Sequence, residues 1–162
     1  MSDDLIRVAS TPAEIRQARA LFEEYAATLG VSLCFQAFDE ELAALPGAYA
    51  PPHGGLWLAG PLDAPCGCVA VRPLPHADRH GIDVAELKRL YVQRHARSGG
   101  LGRRLTETAI AHARSAGYRA IKLDTLAQMD AARRLYAELG FRPCAAYYDN
   151  PLDGTLYMEL TL

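Results

Sequence analysis

Seven consecutive residues, Arg97, Ser98, Gly99, Gly100, Leu101, Gly102 and Arg103, have the composition of a phosphate cradle. Glycines at a turn that opens a helix expose backbone N–H groups with no intrahelical partner, and the helix macrodipole adds partial positive charge at the same place. Gly100 and Gly102 admit a ligand close to the main chain, and Arg97 with Arg103 or Arg104 can supply charge-assisted bonds from the flanks. Glycine turns before helices also serve simply as tight connections, so the surrounding sequence has to decide. A Walker loop needs lysine and then serine or threonine after its last glycine, whereas Gly102 is followed by Arg103 and Arg104. A dinucleotide fingerprint needs its glycines directly after a first strand, without the polar run at residues 94–98.

Other reactive side chains are scattered. His53, His76, His80, His95 and His112 fall on loops and a helix face with no paired metal-ligand spacing, and solvated or hydrogen-bonded histidine is the reading they favour; no metal is expected. Cys66 and Cys68 are one residue apart, outside zinc and redox spacings, and are expected on the same face of one strand as reduced packing residues. Cys34 and Cys144 stand alone.

The elements that must position the turn follow from local pattern. Residues 6–9 suit a first strand. Thr11, Pro12 and Glu14 make a capping box with proline at the first helical position, and Ile15, Ala18, Phe22, Tyr25 and Leu29 then recur at helical spacing up to Gly30. A short helix over 38–45 stops at Pro46. Residues 56–59 and 66–71 flank a turn and read as a hairpin, and 84–92 as a strand with one face partly solvated. Leu101, Leu105, Ala109 and Ala113 line one helical stripe ending at Gly117. Then come a strand at 120–124, a helix at 130–139 closed by Gly140, and two strands at 141–147 and 155–162.

Bulk properties set the frame. With 162 residues, 50% of them hydrophobic, the chain buries one sizeable core, so a single domain over residues 1–162 is expected. A net charge of -2 without a long basic run argues against nucleic acid as a partner; the basic patch at 94–104 is sized for a small phosphorylated ligand. Residues 1–4 lack the features of a secretory signal and no stretch is long and apolar enough for a bilayer, so no membrane partner and a cytoplasmic location are expected.

Three segments in order carry a family resemblance: residues 86–92 (Glu-Leu-Lys-Arg-Leu-Tyr-Val), the turn at 97–102, and residues 132–141 (Ala-Arg-Arg-Leu-Tyr-Ala-Glu-Leu-Gly-Phe). Together they resemble the GNAT superfamily of N-acetyltransferases over roughly the C-terminal half. The resemblance implies an α+β fold, with a central mixed, mostly antiparallel, splayed sheet of six to seven strands flanked by about four helices. It implies acetyl-CoA as cosubstrate, its pyrophosphate on the main-chain amides of 97–103 and its pantetheine arm along Leu90, Tyr91 and Val92. The sequence departs from many members at Met129, where they carry a cofactor-touching asparagine.

The resemblance also assigns chemistry. Acyl transfer from a thioester to an amine needs a neutral nucleophile, a stabilised oxyanion and a proton for the departing thiolate. Deprotonating a lysine-like amine at neutral pH costs about 4 to 5 kcal/mol, so a base or relay is worth having. Glu86, eleven positions before Arg97, is the candidate base, against the reading of a solvated carboxylate paired with Lys88 or Arg89. Tyr136 matches the tyrosine that faces the coenzyme A sulfur and would protonate the thiolate, although its spacing with Leu135 and Leu139 also suits a core position. The backbone N–H of Leu90, at an implied bulge in the central strand, is the oxyanion donor.

On the acceptor side the family's framing segments offer Tyr25, Phe35, Phe38, Tyr147, Tyr148 and Asp149, an aromatic wall suited to a cationic amine or simply the completion of a core. A small-molecule amine or amino acid is the leading acceptor; a protein or peptide amine, or a non-catalytic acyl-CoA sensor on the same fold, stays open. A C-terminal edge strand could pair with a second copy to make a homodimer or be covered by its own loop.

Overall fold

The computed structural model describes residues 5–33, 37–74 and 83–162. Its strands are β1 (Ile6–Val8), β2 (Gly55–Ala59), β3 (Gly67–Pro73), β4 (Val84–Val92), β5 (Ala120–Leu126), β6 (Arg142–Pro143) and β7 (Thr155–Thr161); its α-helices are α1 (Pro12–Leu29), α2 (Phe38–Ala44), α3 (Leu101–Ser115) and α4 (Asp130–Glu138). The strands form one seven-stranded sheet in the order β1-β2-β3-β4-β5-β7-β6. All neighbours are antiparallel except β4 and β5, which are parallel because α3 crosses between them.

The entry into α1 follows the sequence closely. Thr11 Oγ1 accepts from Glu14 N at 3.2 Å, Glu14 Oε2 accepts from Thr11 N at 2.9 Å, and Gly30 ends the helix at φ 67°. Such a cap is worth about 1 kcal/mol. The helix then buries Ala18, Leu21 and Phe22 against Leu56, Leu58, Cys68 and Ala70. Period-two alternation sends Trp57, Ala59, Val69 and Val71 to the opposite face, where Leu105 and Ala109 of α3 and Tyr136 of α4 cover them. With both faces covered, β2 is buried along its whole length.

Three expectations fail for physical reasons. The strand foreseen at 141–147 shrinks to Arg142–Pro143: Pro143 has no N–H to give, and after Cys144 N donates to Tyr157 O at 2.9 Å the chain carries no further strand until β7. That departure frees Tyr147 and Tyr148 to cross over the sheet. β4 is not half-solvated but nearly all buried, with Glu86, Lys88 and Arg89 each 5% exposed or less, because ionic partners on neighbouring elements take up two of those charges. Cys66 and Cys68 do not share a face: Cys66 precedes β3 and packs on the α3 side, Cys68 on the α1 side. Among the described residues no helix is long and apolar enough to cross a membrane.

Candidate active site

The local geometry that matters begins where β4 and β5 part. Their ladder lasts three residues, Val84↔Ala120, Ala85↔Ile121 and Glu86↔Lys122, although β4 continues to Val92 and β5 to Leu126. On its other side β4 is bulged: Ala70 faces Lys88 but Cys68 faces Tyr91, so Arg89 and Leu90 stand opposite Val69 alone, and Arg89 takes φ 60°. An extra residue turns the local amide direction and increases twist. The bulge expected at Leu90 is therefore present, directly beside the gap.

The glycine turn lies at one mouth of that gap. Ser98 and Gly100 both have positive φ, 78° and 77°, and Gly100 caps α3 without any side-chain hydrogen bond. Gly102 has no packing reason to be glycine, since an added Cβ would find only Leu135 Cδ2 and Val92 Cγ2, each at 3.9 Å. Helical glycine costs about 1 kcal/mol against alanine, so a bare main chain here fits the approach of a ligand better than it fits stability. Arg97, exposed, is tied through Nε to Val92 O at 2.9 Å. Arg103 bonds Glu138 of α4 at 2.6 Å and approaches Glu107 at 3.7 Å, which props it beside the turn. The uncapped amides and flanking guanidiniums fit a diphosphate.

A cleft of about 590 Å³ runs from this turn, including Arg97, Ser98, Gly100, Leu101, Gly102 and Arg103, along Leu90, Tyr91 and Val92. Its far wall is the start of α4, including Asp130, Ala131 and Ala132, so α4 contributes more to the cleft than its sequence suggested. Gly99 lies in the turn without lining the cleft, and a Cβ there would meet nothing within 4 Å. Tyr25, Leu90 and Met129 also line a second, inner cavity of about 40 Å³ between the splayed strands, so the two spaces adjoin at these three residues. Met129, which stands where many members of the family carry an asparagine, makes that boundary apolar.

Tyr136 lines the inner cavity and is 5% exposed, its ring packed on Phe141 at 5.6 Å. No described residue hydrogen-bonds its hydroxyl, and burial pushes the phenol well above its ordinary value, so it stays protonated at neutral pH. It is therefore both a packed residue and part of the cavity wall. Tyr25 is likewise pushed up, to about 12, by burial.

Glu86 is buried, and its partners are not the expected Lys88 or Arg89. Oε1 accepts from Arg72 Nε at 2.8 Å and Oε2 from the Tyr147 hydroxyl at 2.8 Å. Neither it nor Tyr147 lines the inner cavity, and burial and then the Glu86 charge keep the Tyr147 phenol protonated. Tyr148 donates to Asp124 Oδ2 at 2.7 Å, and the rings of Tyr147, Tyr148 and Tyr157 pack together with centroids 5.3 to 5.7 Å apart. Phe35 lies outside the described residues. Phe38 leaves the aromatic wall: it is buried beneath the Arg89 guanidinium, 5.0 Å from its ring centre, and Asp149 is exposed.

Sequence reasoning missed Asp124 and Lys88 on the inner cavity wall. It also missed the bidentate pair of Arg89 with Glu41, at 2.9 and 3.0 Å. Burial works against both of these charges, but the paired bonds outweigh it, lowering the Glu41 carboxyl and raising the guanidinium. Lys88 is pushed down by burial. Strand alternation places Asp124 opposite the buried Leu123, and that was the available signal.

The model of the acetyltransferase (GNAT) family matches residues 18–141. An N-acetyltransferase of Schizosaccharomyces pombe, itself uncharacterized, is 35% identical over 97% of this chain and 94% of its own. An acetyltransferase crystal structure from Streptococcus agalactiae superposes with TM-score 0.78 at 20% identity, covering all of both chains. A Salmonella typhimurium protein solved with its cofactor acetyl-CoA superposes with TM-score 0.68 at 20% identity, over 99% of this chain and 94% of that one.

Proposed function

Because the chain belongs to the GNAT family of acetyltransferases, we propose that it moves an acetyl group from acetyl-CoA to the primary amine of a small molecule, by direct attack in a ternary complex. The observation that carries this reading is the adjacency of the two spaces: a cleft beginning at uncapped helix amides adjoins, at Tyr25, Leu90 and Met129, a small cavity lined by charged and phenolic side chains.

Acetyl-CoA, when bound, supplies an activated thioester. The amides of residues 97–103 and the guanidiniums of Arg97 and Arg103 hold its diphosphate, and Leu90, Tyr91 and Val92 lie along its arm. In the reaction an N–C bond forms and a C–S bond breaks; of the two protons the ammonium loses, one ends on the thiolate and the other in solvent. The Leu90 N–H at the bulge faces the developing oxyanion, where a fixed donor is worth about 3 to 4 kcal/mol. Tyr136 gives its proton to the sulfur. Neither Glu86 nor Tyr147 lines the cavity, so the amine's proton reaches Glu86 through a water relay and then the Tyr147 hydroxyl, whose oxygen can accept as its hydrogen passes inward.

Burial of the inner cavity favours a small acceptor over a peptide, which needs an open groove. Calorimetry with acetyl-CoA, followed by thiol release in the presence of amines and of peptides, tests the reading. It predicts donor binding and turnover with small amines; absence of donor binding, or turnover with peptides alone, overturns it.

A further inference from the structure

The inner cavity carries two opposite charges on its two flanking strands, Lys88 from β4 and Asp124 from β5. Two other charged groups near it are balanced within the protein. Arg89 reaches the same wall, but its guanidinium is held by both oxygens of Glu41, and Glu86 is matched by Arg72. Tyr148 is neutral, so its bond orients the Asp124 carboxylate without cancelling the charge. An ammonium has three donors, so Lys88 can serve the protein and a ligand together.

A simple amine entering this space would set its ammonium beside that of Lys88, and like charges in a partly desolvated site repel. A ligand bearing both signs turns the same arrangement into two attractions. At about 40 Å³ the cavity has room for about three water-sized groups, the scale of a head group rather than of a peptide.

We infer that the acceptor is a zwitterion, a free amino acid or small amino-carboxylic acid, with its ammonium at Asp124 and its carboxylate at Lys88. This rests on the acyl-transfer reading above and adds the class of acceptor to it. Burial disfavours the Lys88 ammonium, and a bound carboxylate offsets that penalty, so binding is coupled to keeping this lysine charged.

The test uses acetyl-CoA as donor and the twenty standard L-amino acids, each beside its C-terminal amide, with ethylamine and putrescine as simple amines. The expected result is turnover with one or more free acids and at least about 100-fold lower kcat/KM for the matching amides, since a site built to bond a polar group rejects analogues lacking it. Lys88→Met should raise the KM of the preferred acid by about tenfold or more while sparing the amide; at 1.4 kcal/mol per decade that is one charge-assisted hydrogen bond. Amides or simple amines turned over as well as acids, or an equal loss for acid and amide in Lys88→Met, overturns the inference. Calorimetry with acetyl-CoA on the same preparation separates the two readings. No donor binding sinks the acyl-transfer reading itself, whereas donor binding with simple amines preferred, or with no acid accepted, sinks only the zwitterion.

Discussion

The Tyr148 hydroxyl donates to Asp124 Oδ2 at 2.7 Å, and Asn150 Nδ2 donates to the same hydroxyl at 2.9 Å, so the segment between β6 and β7 is fastened directly to a carboxylate on the wall of the inner cavity. Removing the hydroxyl in Tyr148→Phe leaves Asp124 unoriented while the ring contacts with Tyr147 and Tyr157 persist. Hydrogen bonds to charged groups are worth about 1.5 to 3 kcal/mol, so the acceptor KM should rise by about tenfold or more. Calorimetric affinity for acetyl-CoA should stay the same.

Gly102→Ala should separate stability from donor binding. The helix gains about 0.5 to 1 kcal/mol from the substitution, and neighbours at 3.9 Å accept the methyl, so the melting temperature should hold or rise. Donor affinity should fall by about tenfold or more, because the methyl occupies the approach to the α3 amides. A parallel loss of both would show that Gly102 serves the fold alone.

Glu41 should make stability depend on acid pH. Burial acts to raise its carboxyl, but the bonds from Arg89 win and hold it below the ordinary 4.5. A group lowered on folding contributes stability that is complete above its unfolded value and lost as pH falls through the folded one. Glu41→Gln should therefore cost most at neutral pH, about 3 to 5 kcal/mol for breaking a buried pair from one side. Its deficit against the parent should narrow below about pH 4.5 in thermal melts across pH.

Tyr136→Phe keeps the ring against Phe141 and removes only the donor. General-acid catalysis contributes about 100-fold or more, so kcat should fall by that order while donor affinity and melting temperature stay near those of the parent. Full turnover in the variant would return Tyr136 to a packing role.

What the sequence made legible was local. The capping box of α1, the glycine turn before α3 and the Tyr136 helix depend on residues within one or two turns of each other, and each lies where pattern placed it. The inner cavity and the side chains around it were opaque because they are built from distant pairs. Glu41 meets Arg89 across 48 positions, Tyr147 meets Glu86 across 61, and the importance of Asp124 depends on where a parallel ladder stops, which no alternation of side chains encodes. The short β6 was hidden for a related reason. Residues 141–147 have strand-like composition, yet Pro143 offers no N–H to a ladder, and the two tyrosines find carboxylates to bond outside it.

A sheet ordinarily ends at its rim, where unpaired main chain must be guarded against stray strands. Here a second margin opens in the middle, because β4 runs on for six residues after β5 has turned away. Roofed by helices, this inner margin is shielded from whole polypeptides yet still offers a row of peptide groups at strand spacing. What it favours is a slender, linear guest with amides of its own, spaced to zip along one side, and it disfavours flat or globular molecules before any side chain is consulted.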